Sequence, residues 1–132
     1  MAQSLITDEG KTELLRLAFK NDDAHGAFDY MALGGSTSTG SQDGNFVEVN
    51  DSSYEREPTE IVSLEDKSIQ ITATFDETNF NVSGDGELVQ EIGLVNSPEY
   101  ASEEIFFAYC EVPKIYKNDA ISLKYTIIIE IE

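Results

Sequence analysis

The sequence predicts a mainly β fold, an antiparallel β-sandwich or flattened barrel with one N-terminal α-helix. Three observations carry this: apolar and polar residues alternate with period two over several segments, Gly, Asp and Asn clusters punctuate them, and helical periodicity is confined to the N-terminal region. A chain of 132 residues is long enough for one hydrophobic core and short for two, so residues 1–132 are expected to form a single domain, a helix at 7–20 followed by a β-domain at 27–132.

Residues 7–20 place Thr7 as N-cap, Asp8 and Glu9 on the positive end of the helix dipole, and Leu14, Leu17 and Ala18 on one face, with Lys11 and Arg16 turned away. The polar run from Asn21 to Gly26, which includes Asp22 and Asp23, breaks that pattern. In residues 27–33 both faces are largely apolar apart from Asp29, which predicts a central strand. Residues 34–45 hold four Gly, three Ser and two Thr and are expected to form a long flexible surface loop. Residues 46–58 support two readings: a short strand from Phe46, or a helical turn at Tyr54-Glu55-Arg56-Glu57 stopped by Pro58.

Strands are expected at 60–63 and at 68–75, where Ile69, Ile71, Ala73 and Phe75 share a face. Turn residues at 81–87 lead to strands at 88–96, 104–112 and 120–132. In the last of these, predicted to be the longest, Ile121, Leu123, Tyr125, Ile127, Ile129 and Ile131 form one row.

The formal net charge is −18, from 26 acidic and 8 basic residues. Such a charge repels a phosphate backbone, so nucleic acid is not an expected partner, and a basic protein surface is. No apolar run has the length of a membrane span, and the N-terminus lacks the basic region of a signal peptide, so membrane partners are not expected and synthesis in a host cytoplasm is. The aromatic content, seven Phe and six Tyr, together with 40% hydrophobic residues, sets the chain apart from disordered acidic sequences.

The inventory for catalysis is thin. His25 is the sole histidine and stands beside Gly26 in a predicted turn; Cys110, the sole cysteine, lies in an apolar run and reads as a buried inert thiol. Gly35 and Gly40 have the separation seen in a phosphate-binding loop, but Ser41 stands where the phosphate-reaching lysine belongs. Asn81, Ser83, Asp85 and Gly86 match the first half of a calcium loop, while Ile92 occupies the position of its bidentate glutamate, so a β-turn is the expected structure. Acidic pairs at Asp22-Asp23 and Glu103-Glu104 have the chemistry to hold a weak, hard cation, although most such clusters are solvated surface. No catalytic, cofactor-binding or metal-binding residue is therefore assigned, no cofactor is expected, and the protein is read as a non-enzyme.

Three stretches carry a resemblance to a known group. Leu5-Ile6-Thr7-Asp8-Glu9-Gly10-Lys11 with Leu14-Leu15, followed by Phe28-Asp29-Tyr30-Met31-Ala32-Leu33-Gly34, resembles the opening of tail-collar and tail-fibre N-terminal modules of tailed phages. Val89-Gln90-Glu91-Ile92-Gly93-Leu94-Val95-Asn96 resembles a later strand of those modules, and residues 119–127 resemble their closing strand. The Arg-bearing middle segment of that group is matched loosely by Tyr54-Glu55-Arg56, and a fibre shaft after the last strand is not expected.

The resemblance implies a small structural protein of a tailed-phage virion: a head decoration or auxiliary protein, or a collar, baseplate or fibre-adaptor subunit. Its expected partners are other virion proteins, capsid or tail subunits, and further copies of itself in a symmetric oligomer such as a trimer. Two other classes fit parts of the sequence. The charge alone suits an acidic nucleic-acid mimic that inhibits a host enzyme, and Tyr30, Tyr54, Tyr100 or Tyr116, if exposed, suit a glycan-binding fibre-tip module.

Overall fold

The computed structural model describes residues 4–19, 27–35, 46–99 and 104–130. The order of elements is β1 (Ser4–Ile6), α1 (Asp8–Phe19), β2 (Tyr30–Gly34), β3 (Glu57–Pro58), β4 (Glu60–Glu65), β5 (Ser68–Phe75), β6 (Glu87–Val95), β7 (Phe106–Lys117) and β8 (Leu123–Glu130). Among the described residues these strands make two antiparallel sheets, a five-stranded one ordered β1-β7-β6-β2-β3 and a three-stranded one ordered β4-β5-β8. They face each other as an open sandwich, so of the two architectures read from sequence the flattened barrel is set aside.

The registers explain the core. In the smaller sheet Ile69, Ile71, Ala73 and Phe75 of β5 stand opposite Ile129, Ile127, Tyr125 and Leu123 of β8, so period-two patterning puts both rows on one face. In the larger sheet Met31 and Leu33 stand opposite Leu94 and Ile92, which stand in turn opposite Ala108 and Cys110. These rows meet in one buried cluster. Phe75, Phe80, Met31, Leu33 and Val89 are fully enclosed there, and burying side chains of this size contributes roughly 1.5–3 kcal/mol each.

β2, expected to be central, lies one place in from the edge, between β6 at the middle of the sheet and the two-residue β3, and is covered on both faces: Ala32 pairs with Gly93 on the side of the sheet away from the core, and Phe46 lies over that side. A Cβ on Gly93 would come within 2.7 Å of the Phe106 ring and one on Gly34 within 2.6 Å of Phe46, so these two glycines make room for an outer aromatic layer. Phe46, Phe106 and Tyr109 form that layer, with ring centroids 5.1 to 5.2 Å apart.

Several expectations are corrected. The strand expected from Ala27 starts at Tyr30. Residues 54–57 make no helical turn; Glu57 and Pro58 pair with β2, and Phe46 to Val49 contribute an isolated bridge, Gly34 to Glu48. The longest strand is β7, with 12 residues, while β8 has 8. A turn at Asn118, whose Oδ1 accepts from the Ala120 amide, delays the start of β8 to Leu123. β7 runs through Pro113 because the ladder is irregular there: Val89 pairs with Ile115 and Glu91 with Glu111, leaving the proline out of regular pairing opposite Gln90.

α1 begins as predicted. Thr7 Oγ1 accepts from the Gly10 amide at 2.8 Å and donates to the Phe106 carbonyl, while the Thr7 amide donates to the Phe107 carbonyl at 2.9 Å. This double tie pins the helix start on β7, and Gly10 sits so close that a Cβ would meet the Phe107 carbonyl at 2.6 Å. The helix therefore buries Gly10 and Glu13, and Leu14, expected on the buried face, is 43% exposed. Arg16, expected to point away, is half-buried and paired with Glu13 at 3.2 Å. The loop expected at 34–45 falls almost entirely outside the described residues, as do His25, Asp22-Asp23, Tyr100 and Glu103.

Candidate functional site: an apolar groove between the helix and a sheet edge

Between α1 and β4 lies a groove of about 470 Å³. One wall is α1 and the larger sheet, with Leu14, Ile6, Phe28 and Phe107; the other is the smaller sheet, with Ile61, Leu64, Ile69 and Ile129. Phe28 and Phe107 pack at 5.1 Å between ring centroids. Asp29, Lys67 and Glu130 also line it.

β4 supplies the unusual wall. Ile61 pairs with Ile71 and Leu64 with Ile69, which puts both side chains on the inward face although they are three positions apart. A regular strand would send them to opposite faces; the shift at Val62 restores the phase. Yet Ile61, Val62 and Leu64 are 60, 60 and 71% exposed. On the helix, Leu15 and Phe19 are exposed as well. Groups of exposed large apolar side chains beside an apolar groove mark a surface for contact with another molecule.

The opposite face of the larger sheet carries a buried ionic cluster. Arg56 donates to both oxygens of Glu48, at 2.8 and 2.7 Å, lies 2.9 Å from Glu104 and donates to the Ser97 carbonyl at 3.1 Å. Its guanidinium stands 5.5 Å from the centre of the Phe106 ring. Tyr54 donates to Glu48 at 2.5 Å and accepts from the Leu33 amide at 3.0 Å. Burial alone would lower the Arg56 pKa, but the hydrogen bonds it donates to Glu48 and Glu104 outweigh it and hold the value above normal. Burial, with Glu48 next to it, pushes the Tyr54 hydroxyl well up. Every strong donor here is turned onto a protein acceptor, so the cluster fastens residues 46–57 to the sheet.

The residues considered for chemistry are dispersed. Cys110 is buried, and burial together with Glu111 raises its pKa, as an inert thiol requires. The former calcium candidates form the turn into β6: Gly84 and Gly86 have φ of 80° and 89°, and Ile92 belongs to the core. Tyr54 is half-buried with its hydroxyl held by Glu48 and the Leu33 amide, whereas Tyr116 is exposed. Among the described residues no three His, Cys, Asp or Glu side chains group so as to hold a metal ion, and no helix is long and apolar enough to cross a membrane.

The groove was not read from sequence. Its signal lies in Ile61-Val62-Ser63-Leu64, an apolar run that does not alternate and that is bracketed by Glu60 and Glu65. No protein-family model, curated protein or solved structure matches the chain.

Replacing Arg56 by Met leaves Glu48 and Glu104 facing each other with their cation gone, so it should destabilise the fold by about 3–5 kcal/mol in chemical denaturation. Tyr125, pushed up to about 12 by burial, holds its proton longer folded than unfolded, so it contributes stability below the ordinary value of 10.0 that is lost as pH rises through 12. Unfolding curves across that interval should fall less steeply for Tyr125→Phe than for the wild type.

Proposed function

We propose that this protein is a non-enzymatic structural subunit of a tailed-phage virion, and that it works by seating the groove and its apolar rim on neighbouring virion subunits. The observation that carries the packing part is the cost of the surface itself. Leu14, Ile61, Val62 and Leu64 stand in water in the isolated chain, and covering them gains roughly 25 cal/mol per Å² of apolar area removed from solvent. The virion part draws on the likeness of residues 5–15, 28–34, 89–96 and 119–127 to collar and fibre modules.

The reading also accounts for the charge. A net charge of −18 keeps free subunits apart until a complementary surface is met, and an apolar groove set within acidic surroundings then selects a partner by both shape and sign. Copy number separates the assembly sites: a head decoration protein occurs in far more copies than a collar, baseplate or fibre adaptor.

Quantitative mass spectrometry of purified particles should find the chain at a fixed copy number. Leu64→Glu should cost under about 1 kcal/mol of stability, since that side chain is 71% exposed, and together with Leu14→Glu, at a side chain 43% exposed, should abolish incorporation. Particles that incorporate the double variant at the wild-type level would contradict the groove as the contact surface.

A further inference from the structure

The smaller sheet ends at β4, whose outer backbone edge pairs with no strand among the described residues. Exposed edges are ordinarily guarded by lysine, proline, a bulge or a very short strand, and of these β4 has only the bulge at Val62, which keeps Ile61 and Leu64 on one face. β4 has six residues, contains neither lysine nor proline, and exposes Ile61, Val62 and Leu64. Its charges sit at the two ends instead, as Glu60 and Glu65, with Asp66 following.

We infer that the β4 edge accepts an added β-strand from a partner protein, apolar in its middle and bearing lysine or arginine at both ends. The inference rests on the packing role proposed above and names the chemistry of the partner. An added strand gains backbone hydrogen bonds along β4, and its inward side chains extend the wall formed by Ile61 and Leu64 over the groove toward Leu14. Its basic ends face Glu60 and Glu65 across the strand pair, where opposite charges stabilise and like charges destabilise.

That end-charge pattern disfavours a second copy. An antiparallel pairing of β4 with its own copy in full register sets Glu60 against Glu65 twice, on chains that each carry −18. β8, the other free edge, has one lysine, Lys124, and ends in Glu130, so it offers one positive end where β4 has two negative ones. Lys67, in the β4–β5 turn, is the one cation lining the groove among the described residues, against Asp29 and Glu130.

The test uses the full chain with two synthetic peptides of alternating valine and threonine, one with paired lysines at each end and one with glutamates there. Amide hydrogen exchange read residue by residue should slow at 60–65 on adding the lysine peptide. Glu60→Lys with Glu65→Lys should weaken that peptide by on the order of tenfold or more and favour the glutamate peptide. Asp85→Lys with Glu99→Lys makes the same change in net charge away from β4 and should leave the preference intact.

Equal binding of the two peptides, protection confined to segments other than β4, or an equal loss in the Asp85/Glu99 control would overturn the inference. So would sedimentation equilibrium showing a stable oligomer whose β4 amides are already protected without peptide, since the edge would then belong to a second copy. Peptide failure in a protein that still enters particles removes strand addition alone. Peptide binding by a chain absent from particles upholds strand addition and removes the virion assignment.

Discussion

Five strands facing three cannot be covered completely, since neighbouring strands lie about 4.8 Å apart in either sheet and the wider sheet must overhang the narrower. Much else in the molecule follows from that mismatch. Where the two sheets overlap, Phe75, Phe80, Val89 and Leu123 fill the interior. Beyond the overlap α1 is drawn against β7, held by Thr7 and by the close approach of Gly10 to Phe107. The helix contacts the overhang through its first turns and leaves Leu14 at the groove, so a space of about 470 Å³ remains between α1 and β4.

The outer face of the larger sheet is closed by a different device. Phe46, Phe106 and Tyr109 stack over Gly34 and Gly93, and Arg56 bridges Glu48 to Glu104 above the Phe106 ring. Asn79 clamps the same segment from the other side, accepting from the Glu55 amide and donating to the Glu55 carbonyl, each at 2.9 Å. Both faces of β2 and β6 are thereby shielded, while Leu14, Ile61 and Leu64 remain exposed along the groove and Val47, Tyr116 and Ile128 are exposed elsewhere.

Much of this frame was legible in the residues. The β5 row from Ser68 to Phe75, the β8 row of Leu123, Tyr125, Ile127 and Ile129, the turn at Gly84 and Gly86, and the cap at Thr7 are local patterns whose periods and turn chemistry carry their own meaning. The path of residues 46–57 was ambiguous because it is set by distant partners, Asn79, Phe80 and Glu104, whose contacts no local pattern announces. The helix face was misread for a related reason: periodicity shows that Leu14, Leu17 and Ala18 share a side, but not that the anchoring at Gly10 turns Leu14 toward the groove. The groove itself is a difference between two strand counts, a property of the whole topology rather than of any segment.

Native-state amide hydrogen exchange on the free chain distinguishes a core closed between two sheets, with β4 left as its uncovered margin, from one whose edges are all covered. Amides of β5, β6 and β7 should exchange slowest, near the limit of global unfolding, and those of β4 far faster although β4 belongs to the same sheet as β5. Protection of β4 equal to that of β5 in the monomer would mean that the edge is already covered, and would contradict the account.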